Sequence, residues 1–429
     1  MSNSFDVFYN SSGICTDTRK INANCLFICI KGDNFNGNTF AEKALEHGAS
    51  HVIVDDKAFY KENTHMTYVE SSVLYLHELA HFHRMKFDIP IIGITGSNGK
   101  TTTKELVHKV LSEQYNVLAT IGNLNNHLGV PFTLLRLTAE HEIAIIEMGA
   151  NKPRDIEELC SIASPTHGII TNIGRAHLEG FKDLEGVIQT KKELYDSIEK
   201  NNGVLFINAD DRILNKIYPI TTTSYSYGTT DKANIVGELT DLSPFVEMKW
   251  SSNSYHSPTL KLKMVGKYNF YNYLAATAIG HFFKIRNESI SKALIDYTSE
   301  NKRSQVKETA SNTLILDCYN ANPTSMESAL DSFAMNTNTN KICILGDMKE
   351  LGPESAEEHQ KIITLLETLN LQAHVVGEEF SKLSSSALLK KFITVEELLE
   401  FIALFPIHEK LILIKGSNSI GLSRLEGSL

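Results

Sequence analysis

IIGITGSNGKTTTKE, residues 91–105, decides how this chain is read. An apolar run feeds a glycine-bearing turn, then Lys100, three threonines and the start of a helical pattern. The N–H groups of such a turn, together with the free N–H groups of a helix start, attract an anion, and a lysine adds a point charge. The general phosphate-loop pattern is G-x-x-x-x-G-K-[ST]. Gly99, Lys100 and Thr101 match its second half; its first glycine would fall at Ile94, with Gly93 and Gly96 on either side. A buried strand before the turn, and a helix after it with Leu106, Val107, Val110 and Leu111 on one face, favour a nucleotide-phosphate site over a chance glycine-rich turn. On that reading Lys100 neutralises the terminal phosphates and the Thr101 hydroxyl reaches a magnesium ion.

At about 100–200 residues per domain, 429 residues make about two to four domains. A hydrophobic content of 42% is that of a globular protein. The net charge of -10 argues against a nucleic-acid partner, which wants a basic face. Cys25 and Cys29 have no second close pair to complete a zinc site, so reduced thiols are expected. The N-terminal stretch carries an acid and no long apolar run, so no signal peptide is expected. No stretch approaches the ~20 apolar residues of a membrane span. The expectation is a cytoplasmic monomer.

Working outward from the loop, the chain divides into three blocks. In residues 1–86, strands are expected at 26–30 and 51–54, separated by the turn-rich 32–38 loop and a short helix capped by Thr39. Residues 72–84 read as a helix and Asp88–Pro90 as a linker. Residues 87–303 alternate strands at 142–150, 168–174 and 203–211 with helices opened by Pro153 and at 183–200, then a β-rich stretch over 221–264 and a helix over 270–284. Continuous apolar strands fit a mostly parallel sheet covered on both faces, with its site at the strands' C-terminal ends. Residues 304–429 repeat the rhythm, with strands at 313–317, 341–347, 373–377 and 410–417, and helices after Pro323 and over 354–368. The fold class is α/β.

Six further positions are candidates for chemistry, four of them at expected strand ends and two on a helix. Glu147 ends a buried strand, where an acid either holds Mg²⁺ beside phosphates or caps a helix. His177 follows the 168–174 strand; a lone histidine is more often structural. Lys191 and Lys192 lie on a helix, where a solvated face is the default. Asp317 and Asp347 end strands of the third block, with helix capping as the simpler explanation.

TGSNGKTTTKE (95–105), GNLNNHLGVP (122–131), IEMGAN (146–151), AHLEGF (176–181), DCYNANPTSME (317–327) and LGDMKELGPES (345–355) together resemble the Mur ligases, in the right order over nearly the whole chain. That resemblance implies three domains: a UDP-sugar-binding domain over 1–86, a central ATPase domain with the phosphate loop over 87–303, and a Rossmann-like domain over 304–429. YNANP followed by LGDMKELG resembles the family member that joins D-alanyl-D-alanine to UDP-N-acetylmuramoyl-tripeptide. No DNPR motif of the diaminopimelate-adding member occurs.

The resemblance also implies roles. Gly96, Ser97, Asn98, Gly99, Lys100, Thr101 and Thr102 would hold the ATP phosphates. Thr101 and Glu147 would bind one Mg²⁺ and His177 a second, bridged by a lysine carbamate. TKKELY (190–195) sets Lys191 on the family's A-K-G-E-[IL]-[FY] lysine, with Lys192 in place of the glycine. KYNFYNYLAA (267–276) resembles HNxxNxLAA: Asn269 and Asn272 match, the former on the adenine side, and Tyr268 stands where histidine is usual. Arg303 and Asp317 match positions that close on the nucleotide. Tyr319, Asn320 and Asn322 would lie near the dipeptide. KGSNS (415–419) has Asn418 in place of the arginine of a KGSR-type ending. Asp17, Thr18, Arg19 and the loop around Asn36 would hold the UDP-sugar. The alternatives at this level are a sister ligase, adding another amino acid or glutamates to folate, and a nucleotide-driven switch without catalysis, against which the intact Lys100, Glu147, His177 and Lys191 speak.

Overall fold

The computed structural model describes residues 5–32, 34–62, 65–384 and 388–429. Residues 1–4 of the N-terminal stretch and Asp33 of the 32–38 loop lie outside them.

Three larger sheets follow one another along the described residues, besides a two-stranded antiparallel pairing of Lys31–Gly32 with Phe35–Asn36. The first has four parallel strands, in the order Ile14–Cys15, Leu26–Ile28, His51–Val54, Met66–Tyr68. Helix Ser72–Arg84 leaves it and carries its core into the next block. One apolar cluster runs from Ile28 and Ile53 through Leu76 and Leu79 to Leu134, Ile156 and Leu159. Arg84 clamps that junction. Its Nε donates to Ala163 O at 3.1 Å, Nη1 to Phe87 O at 2.7 Å and Nη2 to Ser164 O at 3.3 Å. Two of these carbonyls belong to the end of helix Asp155–Ala163, where no further turn donates to them.

The second sheet has ten strands. Seven pair in parallel, in the spatial order Val117–Ala119, Ile143–Glu147, Ile91–Thr95, His167–Ile170, Val204–Asn208, Thr223–Gly228, Ile235–Asp241. The last continues into antiparallel pairing with Glu247–Ser252. Ile91–Thr95 thus has later strands on both sides, and the direction of crossover reverses at its C-terminal end, where open α/β sheets place ligands. Ile91–Thr95, like Ile143–Glu147, is buried along its whole length, as strands covered on both faces must be. Helices Lys100–Leu111 and Lys267–Phe282 cover one face through Val107, Val110, Phe270, Leu274 and Ile279.

The third sheet has six strands, ordered Gln305–Glu308, Thr313–Asp317, Leu411–Lys415, Lys341–Gly346, Ala373–Val376, Leu389–Phe392, parallel except for the first pair. Val265 and Leu178 of the middle block join its core beside Met326 and Leu330.

Several local expectations are corrected. Thr39 lies inside a 3₁₀ turn, Gly37–Phe40, which Asn36 caps by accepting from Asn38 N; the α-helix Ala41–Glu46 follows. Pro153 does not open its helix. The Asp155 carboxylate accepts from Asn151 N and Lys152 N, Arg154 is left-handed, and the helix begins at Asp155. Helix Asn287–Asp296 and the edge strands Gln305–Glu308 and Leu389–Phe392 were not legible. Among the described residues, no helix is long and apolar enough to cross a membrane.

Arg84→Ala leaves three carbonyls without a donor at the junction of the first two blocks. It is expected to cost about 2–4 kcal/mol, read as a lower denaturation midpoint. Arg84→Lys should recover little, because an ammonium cannot span three acceptors arranged for a planar fork.

Candidate active site

The phosphate loop is built on the end of Ile91–Thr95 and held by the neighbouring strand's exit, residues 171–174. Ser97 N donates to Asn172 O at 3.0 Å, Asn98 N to Asn172 Oδ1 at 3.0 Å, and Thr171 Oγ1 to Asn98 O at 2.5 Å. Gly99 sits at φ +80°, and a Cβ there would lie 2.7 Å from Asn272 Oδ1. A left-handed turn this close to a buried amide requires glycine. Gly96, at φ +145°, is equally committed: a Cβ would meet Thr171 Oγ1 at 2.0 Å. Helix Lys100–Leu111 starts immediately after, so the N–H groups of Lys100, Thr101 and Thr102 have no preceding turn to bond to.

Lys100 Nζ folds back onto Gly96 O at 2.7 Å and Ser97 O at 3.2 Å. Desolvation pushes its ammonium down to about 8, against the pull of Glu147, with the Arg303 charge lowering it further. Glu147 is buried, 1% exposed. Its Oε1 accepts from Thr101 Oγ1 at 3.1 Å and Asn125 Nδ2 at 2.7 Å. Its Oε2 has no hydrogen-bond partner, only the Lys104 ammonium at 4.0 Å. A buried carboxylate oxygen left unpaired beside a threonine hydroxyl suits one Mg²⁺, which takes few protein oxygens and completes its shell with water and phosphate. Among the described residues no three His, Cys, Asp or Glu side chains converge as a ready cage.

Of the two adjacent lysines, Lys191 is the buried one, 2% exposed. Burial, and then the Lys100 charge, hold its amine well below the ordinary range. Lys192 turns away to pair with Asp196. His177, left-handed at φ 53°, meets Glu350 of the third block through Nδ1. Its hydrogen bond holds the Glu350 carboxyl below the usual carboxylate range.

A cleft of about 1130 Å³ opens between the second and third sheets. Ser97, Asn98, Gly99, Lys100, Thr101, Thr102, Glu147 and His177 line it from one side, with Asn269, Asn272 and Arg303; Asp317, Tyr319, Asn320 and Asn322 line the other. Lys191 and Gly96 stand behind that lining. Asn272 is committed to the loop helix and its neighbour: Thr103 Oγ1 donates to Asn272 Oδ1 at 3.2 Å and Asn272 Nδ2 to Asn269 Oδ1 at 2.9 Å. Arg303 stacks on the Tyr319 ring at 3.7 Å and keeps a buried, unpartnered Nε. Asp317 is paired with Lys415 at 2.7 Å. Asn322 caps helix Pro323–Met335 and donates to Asn98 Oδ1 at 2.7 Å, tying the third block to the phosphate loop. Asp347, the third-block acid for which capping was the simpler explanation, caps Glu378–Ser381 through Glu379 N and Phe380 N.

Asp17, Thr18, Arg19 and Asn36 do not join this cleft. Asp17 caps the Thr18–Lys20 turn and is held at about 2 by hydrogen bonds from Arg19. Sequence reasoning also missed Lys104, Asn125, Arg175 and Glu350. Lys104, Asn125 and Glu350 sit inside quoted segments, but nothing local gave them roles.

A family profile for the Mur ligase middle domain matches residues 94–280, one for the Mur ligase glutamate ligase domain matches 302–418, and one for the Mur ligase catalytic domain matches 10–84. The UDP-N-acetylmuramoyl-tripeptide–D-alanyl-D-alanine ligase of Bacillus subtilis is 36% identical over 81% of this chain and 76% of its own length. The same-named Escherichia coli enzyme is 31% identical over 97% and 93%. Among solved structures, MurF from Acinetobacter baumannii superposes with a TM-score of 0.89 at 31% identity, covering 97% of this chain and 92% of that one. MurF ligase from Thermotoga maritima in complex with ADP superposes at 0.87 and 26% identity, covering 99% and 97%.

Proposed function

The chain belongs to the Mur ligase family, and from that premise we propose that it joins D-alanyl-D-alanine to UDP-N-acetylmuramoyl-tripeptide at the expense of ATP, a step of peptidoglycan synthesis in the cytoplasm. The observation that carries this reading is the single cleft in which the phosphate loop faces the YNANP segment.

A carboxylate is a poor acyl donor near neutrality. Phosphorylation by ATP converts it to an acyl phosphate, whose phosphate leaves readily when the dipeptide amine attacks. The amine loses its proton, a tetrahedral centre collapses, and amide, ADP and phosphate result. The chain's task is to hold three anionic or polar reactants together and dry.

We assign the phosphate loop, Lys100 and the Lys100–Thr102 N–H groups to the ATP phosphates. Arg303, with its unpartnered Nε, reaches the same phosphates from the linker into the third block. Asn269 and Asn272 shape the adenosine side and Asp317 closes on it. Tyr319, Asn320 and Asn322 face the dipeptide. Residues 1–86, with Asp17, Thr18, Arg19 and Asn36, take the UDP-sugar, 87–303 the ATP and 304–429 the dipeptide. Thr101 and Glu147 hold a first Mg²⁺, and His177 with a carbamylated Lys191 a second. Magnesium, when bound, neutralises phosphate charge as it moves. The depressed amine of Lys191 supports its part: an uncharged amine is the form that adds CO₂, and the carbamate is an anionic oxygen ligand where an ammonium would repel the ion.

Phosphate release from ATP should require both a UDP-tripeptide and D-alanyl-D-alanine, and a single amino acid should not replace the dipeptide. Assays with diaminopimelate and with lysine as third residue identify the physiological substrate. Lys100→Ala should lower kcat/KM by about 100-fold or more. Wild-type ligation by that variant, or equal use of free D-alanine, would sink the reading.

The state of Lys100 gives an independent pH test. With its amine held at about 8 in the ligand-free fold, against 10.5 for the ordinary side chain, the folded chain binds fewer protons than the unfolded one between those values. Its contribution to stability therefore rises with pH across that window. A bound polyphosphate favours the ammonium and reverses the shift. ADP binding at about pH 9 should take up to about one proton that it does not take at about pH 7, and affinity should fall above about 8. Calorimetry in two buffers of different ionisation enthalpy reads this directly, and Lys100→Met should abolish the uptake.

A further inference from the structure

His177 is one of the residues assigned to magnesium, yet it lies at the seam between two blocks. Its backbone is left-handed, at φ 53° and ψ 39°. The residue that meets its Nδ1, Glu350, is also left-handed, at φ 64°. A non-glycine residue in that region is strained and persists only where the surroundings hold it there. Two such residues, 173 positions apart by number, face each other through a carboxylate and an imidazole.

The surroundings hold both in place. Around His177, its own carbonyl accepts from Gly180 N at 3.0 Å and Phe181 N at 3.1 Å. Around Glu350, the preceding Lys349 N donates to Ser417 Oγ at 3.0 Å, and Asp347 is fixed as a helix cap. The two loops also touch through backbone, Glu179 N donating to Glu350 O at 3.3 Å. Two residues before His177, Arg175 N donates to Thr324 Oγ1 at 2.9 Å and Arg175 Nη1 to Glu358 Oε1 at 2.5 Å. The third block therefore grips the His177 loop at several points, and the Glu350 contact is the one that reaches a proposed reacting-site group.

Imidazole chemistry gives that contact a use. A neutral ring carries one proton, and the nitrogen without it is the one that can bind a metal ion. A carboxylate at Nδ1 holds the proton there and leaves the Nε2 lone pair available. We propose that Glu350 is a positioning residue for His177: docking of the third block places its carboxylate on Nδ1–H and thereby fixes the tautomer whose Nε2 lone pair is free to take a magnesium ion. Docking and metal readiness are then one event, since the carboxylate arrives only with the block that carries the dipeptide. This rests on the ligase reading above.

The test separates the two. In full-length ¹⁵N-histidine-labelled protein without ligands, the His177 signal is assigned by its loss in His177→Gln. In spectra recorded at alkaline pH, where an imidazole is neutral, it should show the tautomer that carries its proton on Nδ1. In Glu350→Ala the same ring should become a mixture of tautomers, with the melting temperature retained. Glu350→Gln, whose amide oxygen still accepts from Nδ1–H, should keep the wild-type signature. In the ligation assay Glu350→Ala should lower kcat by about 10–100-fold with a smaller change in KM for ATP, and Glu350→Gln should recover most of the loss. A wild-type ring that is already a mixture of tautomers overturns the proposal. So does a tautomer unchanged in Glu350→Ala, or a tautomer change without loss of kcat. Absence of dipeptide-dependent phosphate release in the wild-type chain would instead overturn the ligase reading, and the nuclear resonance result would still report the contact.

Discussion

Charge that lacks a partner is the constraint around which this molecule is arranged. In the ligand-free fold Glu147 keeps a buried oxygen without a hydrogen bond, and Arg303 a buried Nε without an acceptor. Lys100 and Lys191 hold amines depressed by desolvation. Each would be costly anywhere else in a folded chain. Gathered at and just behind one cleft, they would become mutually complementary with the polyphosphate and divalent cation proposed for it. A net charge of -10 does not prevent this, because the cations that matter are local and partly dry, where a single charge acts far more strongly than on the surface.

Rigid packing is what lets such groups stay unpaired. The Ile91–Thr95 strand is buried from end to end, and Thr95 Oγ1 donates to Met148 O at 2.7 Å, locking its exit to that of Ile143–Glu147. Loop and acid are thereby two ends of adjacent strands, and their separation is set by sheet geometry rather than by flexible side chains. Lys104 reinforces the arrangement one turn along the helix. Its Nζ donates to Thr120 O at 2.7 Å, binding the phosphate-loop helix to the segment that carries Asn125.

What could be read from the sequence follows from which interactions are local. The phosphate loop, its strand and the amphipathic helix behind it are written within twenty-one residues, 91–111, and the apolar runs at 143–147 and 204–208 are unambiguous because burial on both faces leaves little choice of residue. Helix caps were less legible: Asn36 and Thr39 are both competent, and only the 3₁₀ turn decides between them. The edge strand Gln305–Glu308 is polar because one side faces away from the core, which removes the signal that identifies central strands. The seam contacts were illegible for a deeper reason. Asn98 with Asn322, and Arg175 with Glu358, are more than 180 residues apart, and no periodicity encodes which polar side chains will meet across a cleft.

That division also explains why recognition of motifs and recognition of geometry supply different knowledge. Motifs identified Glu147, Lys191 and His177 without saying what keeps them ready. Geometry shows that readiness is distributed. Glu147 is held by Thr101 and Asn125 from its own block, and Lys191 by burial against its own helix and sheet. His177 is different: it is met by a side chain from the third block. On the proposal that docking of the third block completes His177, a site with two groups held within one block and a third met across the cleft has an order built into it. On that proposal the nucleotide phosphates find their N–H groups and acid before the third block is seated. The last element reports that it is, and keeping that report on the opposite side of the cleft means that an open molecule, with water free to reach a phosphorylated carboxyl group, lacks one of the contacts that make the site competent.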